Sequence, residues 1–428
     1  MSFQKKLSLS ISFIVLLSLF GKYNPAFGQS TKLISGNVID ATTKEYLPFV
    51  TVTLKKSLIG TVTNENGFFD LKYPDEITND SLFITLLGFQ SVTLPLSDIK
   101  DSVSVTLIKS DIELKEVVIR PLPPTYYIKQ AIANLKQTNP KDPFQTQAYY
   151  REIMTENGNF IVSNEAVFKT FYPSFQDTIK NQHQALLFRK ADDIKEVAFM
   201  KAQRDKKAAK KEARAKKKGK ILTEEESKGI AANFGGPEAI LRQADLSKSG
   251  DEYLDSTSFK HYEYNFAPSS SYDSKELMVI NFKSKGKVDH SHQVGKIYID
   301  IASNAIVKIE ESGDFVIPLA LRPVLFLYGF SIDDAKYSTV TEFQEVNNRW
   351  YPKNISFNLG AMLTKKHWFA DNEHSLFEVE SMFTVNKIKI NGTSPIPKEK
   401  RFDAKKKIEP QVFNDEGLNW ADVNIIKK

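Results

Sequence analysis

Between Ile34 and Arg120 the chain breaks into short runs of Val, Ile, Thr and Phe, parted by Gly, Asn, Asp and Pro. The breaks recur about every eight to ten residues, too often for helices and at the spacing of short strands joined by turns. Strands this short cannot bury a face alone, so they must pair into two sheets around one core. The cadence therefore predicts a small antiparallel β-sandwich over residues 31–120. Its clearest local signal is GTVTNENGFFDL, two strand-like runs joined through an Asn-Gly turn.

The rest of the chain divides by composition. Residues 1–28 read as an export signal: Lys5 and Lys6, then the mostly apolar run Leu7 to Phe20, then small residues at Ala26-Phe27-Gly28. That run falls short of the roughly 20 apolar residues that span a bilayer. Pro121, Pro123 and Pro124 open a hinge over 121–143, in which Tyr126 to Gln137 carries apolar residues at helical spacing (Ile128, Ala131, Ile132, Leu135) until Asn139-Pro140 stops it.

From 144 to 394 strand patterning returns. Ala148–Met154 and Phe160–Tyr172 flank an Asn157-Gly158 turn. Further strands are expected at 276–283, 295–301, 305–311, 336–346, 349–359 and 376–390, with Asn347-Asn348 as a second hairpin turn. In GKIYIDI, Ile297, Ile299 and Ile301 point to one side and Lys296, Tyr298 and Asp300 to the other. One buried and one wetter face, repeated along successive hairpins, predicts a large curved antiparallel sheet. Residues 192–236 interrupt it as a charged helical insertion, and 395–428 form a polar tail with Trp420 and Val423 as docking residues.

Two resemblances follow from these patterns. ISGNVIDATTKEYLPFVTV, the GTVTNENGFFDL hairpin, LFITLLGFQS and LKEVVI together resemble the carboxypeptidase-like regulatory domain, which implies a transthyretin-like sandwich and no catalysis. The resemblance also implies an exported envelope protein of the Bacteroidota type. The later pattern GKIYIDIASNAIVKIE…YSTVTEFQEVNNRWYPKNISF looks like the half-barrel of outer-membrane lipoprotein carriers, and implies architecture only. The expected fold class is thus mainly β: a sandwich, a short helical linker and a curved sheet with a charged insertion.

Charge excludes one class of partner. The net charge of +6 is concentrated in Lys201–Lys220, where 11 Lys and Arg face only Asp205 and Glu212. Without that segment the protein is slightly acidic, and no aromatics interleave the lysines as a nucleic-acid platform requires. A solvated insertion is the first reading of the segment; contact with an anionic membrane surface is the second. There are no cysteines. Thiolate metal sites, disulfides and a lipidated N-terminal cysteine are excluded with them.

Catalytic patterns are absent. A zinc carboxypeptidase needs Glu three residues after a His; here His183, His261, His290, His292, His367 and His374 are followed at that spacing by Leu186, Tyr264, Gln293, Gly295, Ala370 and Phe377. Neither HExxH, GxSxG nor a phosphate-binding glycine loop occurs. Asp289, His290 and His292 form a metal-like cluster, read first as an exposed hairpin turn and second as an ion site. No catalytic, cofactor-binding or metal-binding residues are assigned, and no cofactor is expected.

The sequence therefore points to a non-enzymatic binding or scaffold protein of the periplasm or outer membrane, with envelope proteins as partners. A lipid or lipoprotein carrier is the alternative, with Val316–Phe330 as a lid and Trp368, Phe369 and Phe383 lining its cavity. A hydrolase with an unrecognised site is the third reading.

Overall fold

The computed structural model describes residues 30–100, 102–110, 121–173, 180–191, 237–246, 250–286, 292–314, 329–366, 371–403 and 406–426. The expected export signal, the basic insertion 192–236, residues 315–328, Asp289, His290, Trp368 and Phe369 lie outside them.

The N-terminal unit contains β1 (Thr31–Asp40), β2 (Thr51–Leu54), β3 (Ile59–Val62), β4 (Phe68–Pro74), β5 (Ser81–Thr85), β6 (Val92–Pro95) and β7 (Ser102–Leu107). They form two sheets, ordered β4-β1-β7 and β3-β2-β5-β6. Alternate residues of both point inward, and Ile34, Val38, Val52, Leu54, Phe69, Leu71, Leu82, Ile84 and Leu107 make the core between them. Each large side chain so buried contributes roughly 1.5–3 kcal/mol. The sandwich expected from the sequence is present, with one difference: β7 runs parallel to β1. The preceding strand β6 lies in the other sheet. The chain crosses between layers through the 3-10 turn Leu96–Asp98 and enters β7 in the direction of β1.

A helix α1 (Pro124–Ala133) and a single turn α2 (Leu135–Thr138) follow. Pro124 occupies the first helical position, where its missing N–H costs nothing. Asn134 breaks the two apart and donates to the Ser303 carbonyl at 2.6 Å. Ile128, Ala131 and Leu135 are buried, as their spacing predicts.

The second unit is a curled half-barrel sheet. Its strands are β8 (Phe144–Glu156), β9 (Asn159–Tyr172), β10 (Gln182–Lys190), β11 (Tyr262–Tyr272), β12 (Lys275–Ser284), β13 (Gln293–Asp300), β14 (Ile306–Asp314), β15 (Phe330–Val346), β16 (Arg349–Lys365) and β17 (Glu373–Lys389). They pair antiparallel in the order β11-β12-β13-β14-β15-β16-β17-β8-β9-β10. The two-residue turns Asn157-Gly158 and Asn347-Asn348 hold positive φ throughout, as the hairpin twist demands.

Register threads one row across the sheet. Ile280, Ile297, Ile309, Thr341, Ile355, Phe383, Tyr150 and Ala166 stand opposite one another in turn. All are buried, none more than 5% exposed. The helix α3 (Pro237–Gln243), with Ile240 and Leu241, covers this packed face together with Phe402 and Ile408 of the C-terminal segment. Phe383 therefore belongs to the core and lines no open space, contrary to the cavity expected from the sequence. The wetter face is also drier than expected: Tyr298 is 6% and Asp300 1% exposed. Asp300 turns back on its own hairpin, accepting from the Ala302 and Ser303 amides.

Two strands have no counterpart in the sequence reading. YEYNFAPSSSY is given no element, and Pro268 and the serines weaken its strand signal. In β11 that proline falls in an irregularity between Ala267 and Ser270, where the pairing with β12 is interrupted. A strand pairs with β10 on one side only. Its other edge is met by the C-terminal segment, whose Phe402 and Phe413 amides donate to the His183 and Ala185 carbonyls.

The two units share one frame. Ile59 of β3 bridges Lys387 of β17, and the Asn386 amide donates to the Gly60 carbonyl at 3.3 Å. The C-terminal segment closes the far side. Val423 and Ile426 pack with Val62, Tyr149, Val167 and Met382, and the Arg189 guanidinium stacks over Trp420 at 4.2 Å. Asn424 clamps the edge of β4: its Oδ1 accepts from the Lys72 amide at 2.6 Å and its Nδ2 donates to the Lys72 carbonyl at 3.1 Å. Trp420 and Val423 dock as the sequence suggested.

Candidate functional site

The face opposite the packed one holds an open groove of about 540 Å³ across β12, β13, β14 and β15. Strand pairing builds it from two rows. Asn281, Lys296, Glu310 and Val340 stand opposite one another in turn, and beside them Lys283, Val294, Ser312 and Ser338. Lys283, Val294 and Lys296 are exposed, and the other five partly so. The volume falls within the roughly 300–1,000 Å³ of small-molecule sites, although this groove is open rather than enclosed.

Its floor is backbone because the row between those two, Phe282, Gly295, Glu311 and Thr339, directs its side-chain positions to the packed side. A Cβ on Gly295 would stand 2.1 Å from the Glu310 carbonyl and 2.5 Å from the Phe282 ring, which lies across it on the packed side. Phe282 in turn stacks on Tyr253 with centroids 4.2 Å apart. Beneath the groove, burial pushes the Glu311 carboxyl above its ordinary range, and the Tyr337 hydroxyl that donates to it offsets this in part.

The polar side chains around the groove fall into two groups. Next to it, charges are consumed internally. Lys308 pairs with Glu310 at 3.0 Å and with Glu342 at 3.3 Å, and the Tyr298 hydroxyl donates to Glu310 at 3.1 Å. Burial pulls the Lys353 ammonium down, against the attraction of Glu342. Burial pushes Glu342 up, but the Lys308 and Lys353 charges outweigh it and hold the carboxyl low. Within the groove, Asn281, Lys283, Lys296, Ser312 and Ser338 make no side-chain hydrogen bond or ion pair among the described residues. Glu263 lies directly across from Lys283 on β11 without pairing to it.

The residues singled out in the sequence are dispersed. His292 is exposed, and its Nδ1 meets Asp314 at 2.9 Å; its two neighbours in the expected cluster lie outside the described residues. His183 sits against the Thr170 hydroxyl at 3.0 Å, and burial pulls its imidazole down to about 4. Among the described residues no three His, Cys, Asp or Glu side chains gather as metal ligands. The groove had one trace in the sequence, the outward position of Lys296. Register was the missing information, since it alone sets Lys296 beside Lys283, Ser312 and Ser338.

The family model described as a CarboxypepD_reg-like domain matches residues 34–119, the sandwich. No curated protein matches the chain. Among solved structures, a Bacteroides fragilis protein of unknown function aligns over 84% of this chain and 98% of its own, at 11% identity and a TM-score of 0.15. Lipovitellin, solved in a study of lipid–protein interactions, aligns over 61% of this chain and 26% of its own, at 7% identity and a TM-score of 0.25. A DUF1329 family protein from Desulfovibrio piger aligns over 64% of this chain and 96% of its own, at 8% identity and a TM-score of 0.22. At these TM-scores none of the three bears on function.

Proposed function

We propose that this is an exported, non-enzymatic binding or scaffold protein of the cell envelope, in which the sandwich docks a protein partner and the half-barrel supports it. One observation carries the reading: the edge of β7. This strand ends its sheet, and among the described residues no strand pairs with its outer side. Ser102, Ser104 and Thr106 alternate outward and are exposed. An unpaired edge of six residues is a template for an added strand, since its N–H and C=O groups lack ladder partners.

Three other sheet ends differ: β6 closes with Pro95, which has no N–H to offer, Asn424 covers β4, and the C-terminal segment covers β10. β11 also ends its sheet with no strand on its outer side among the described residues, though its Ser271 carbonyl accepts from the Gly88 amide of the sandwich. The fused frame would then hold the docking edge at a fixed angle to the half-barrel. The matched domain type is non-catalytic, in keeping with a binding role.

The test is affinity capture from gently solubilised envelopes of the native host, analysed for proteins and lipids. The native chain is expected to retain a stoichiometric protein, and Ser104→Lys/Thr106→Lys to lose it, because edge lysines block strand addition. Enriched acyl chains with no protein partner would overturn the scaffold reading in favour of the carrier. Turnover of peptides or glycans by the purified chain would overturn the non-enzymatic reading.

A further inference from the structure

We propose that Asn391 is a site of spontaneous modification, where the chain converts its own asparagine to isoaspartate and so loosens the start of the C-terminal segment. Nothing in this depends on what binds the β7 edge, so it stands or falls apart from the docking reading.

The chain holds three Asn-Gly pairs: Asn66-Gly67, Asn157-Gly158 and Asn391-Gly392. Glycine has no Cβ to shield its nitrogen and the widest choice of backbone angles. In such a pair the glycine nitrogen can attack the side-chain Cγ of the asparagine before it. A bond forms between that nitrogen and Cγ, the bond from Cγ to the side-chain nitrogen breaks, and ammonia leaves with the displaced proton. Water then opens the cyclic imide. Attack at Cγ gives aspartate; attack at the main-chain carbonyl breaks the original peptide bond and leaves the chain running through Cγ, as isoaspartate. Only water enters and only ammonia leaves.

The fold separates the three pairs. In the first, the Asn66 amide donates to the Asn64 side-chain oxygen at 3.0 Å, and the attacking nitrogen of Gly67 is itself held, donating to the Asn64 carbonyl at 2.9 Å. In the second, Asn157 is clamped to β17: its Oδ1 accepts from the Leu376 amide at 2.9 Å and its own amide donates to the Leu376 carbonyl at 2.8 Å. Either pair must break these bonds before nitrogen and Cγ can meet, and the cost of opening divides the rate.

Asn391 carries no such restraint. It follows the end of β17 in an exposed bend, and neither its side chain nor the Gly392 amide has a hydrogen-bond partner among the described residues. A Cβ on Gly392 would meet nothing within 4 Å. The same chemistry that is restrained at 66 and 157 is therefore free at 391.

The position gives the conversion a consequence. Just beyond it the C-terminal segment takes its first holds: the Thr393 hydroxyl donates to the Pro143 carbonyl at 3.1 Å, Gln145 donates to the Ser394 carbonyl at 2.8 Å, and the buried Ile396 donates its amide to the Gln182 side-chain oxygen at 2.8 Å. Isoaspartate lengthens the main chain by one carbon, about 1.5 Å, immediately before these holds. They cannot all keep their register with β17 fixed.

The test is ageing of the full chain in warm, mildly alkaline buffer, native and in urea, with mass spectrometry of the three pairs after digestion. Relative to its own rate in urea, Asn391 is expected to be little changed in the native chain, and Asn66 and Asn157 to be slowed at least about tenfold. Gly392→Ala should slow conversion at 391 alone. Amide exchange at Ile396 should be about fivefold faster in the isoaspartate fraction than in Asn391→Asp, which adds the charge but no backbone atom. The modification is overturned if folding slows Asn391 as much as the other two, or if Gly392→Ala leaves its rate unaltered. Equal exchange at Ile396 in the two forms would overturn the loosening.

Discussion

Asn424 is the side chain on which the joining of the two units can be tested most sharply. It is 5% exposed and completes β4 as a strand would, accepting from the Lys72 amide at 2.6 Å and donating to the Lys72 carbonyl at 3.1 Å. Asn424→Ala removes both bonds and leaves two backbone groups on a covered edge without partners. At about 1 kcal/mol net for each bond, the local loss is about 2 kcal/mol, and it rises toward 3 if the exposed groups stay dry. Two kcal/mol corresponds to about thirtyfold in an opening equilibrium.

The assay is native-state amide exchange at Lys72, because a chain of two units need not melt in one step and a melting temperature would blur the effect. Lys72 should exchange about thirtyfold faster, while amides of the Ile280–Ile297–Ile309 row stay unchanged. Asn424→Asp sharpens the point. A carboxylate still accepts from the amide but repels the carbonyl, so Asp should be worse than Ala at neutral pH. It should recover as the pH falls below about 4, where a protonated carboxyl donates again. Unaltered exchange at Lys72 in both variants would refute the clamp and the claim that the C-terminal segment locks the sandwich in place.

Three further outcomes are expected. Gly295→Ala should cost at least about 1–3 kcal/mol in denaturant unfolding, and trimming Phe282 to Ala should not rescue it, because the Glu310 carbonyl still blocks the Cβ; Gly360→Ala, with nothing within 4 Å, should be near neutral. Glu342→Gln should cost about 3–5 kcal/mol by stranding the buried Lys353 and leaving Lys308 with Glu310 alone, whereas Glu342→Leu with Lys353→Met should recover most of that loss. His183 has its folded pKa depressed to about 4 by burial. Its contribution is therefore complete above an unfolded value of about 6.5 and is lost as pH falls from there toward 4, at most about 3 kcal/mol. His183→Gln should flatten that part of an acid titration of stability, and an unchanged profile would refute the assignment.

Local chemistry made much of this fold legible. The Asn-Gly and Asn-Asn pairs take positive φ cheaply, so hairpins at 157–158 and 347–348 were readable without a partner in view. Helical spacing of Ile128, Ala131 and Leu135 named the buried side of α1 before anything was known to cover it. β11 was hidden because local rules reject Pro268, while sheet pairing tolerates it where the ladder is interrupted. The burial of Tyr298 and Asp300 was hidden as well: alternation says which side a residue points to, and not whether that side is covered.

The sequence by itself determined the two β units, most strand positions and the lack of familiar catalytic motifs, since these follow from periods of two and from residue chemistry within a few positions. Tertiary structure decided the parallel entry of β7, the fusion through Ile59 and Lys387, the clamp at Lys72 and the groove. Each depends on register between residues tens to hundreds of positions apart. A sequence fixes that register only through the packing of the whole core, where sliding one strand by one residue would turn Ile280, Ile297 and Ile309 out into water.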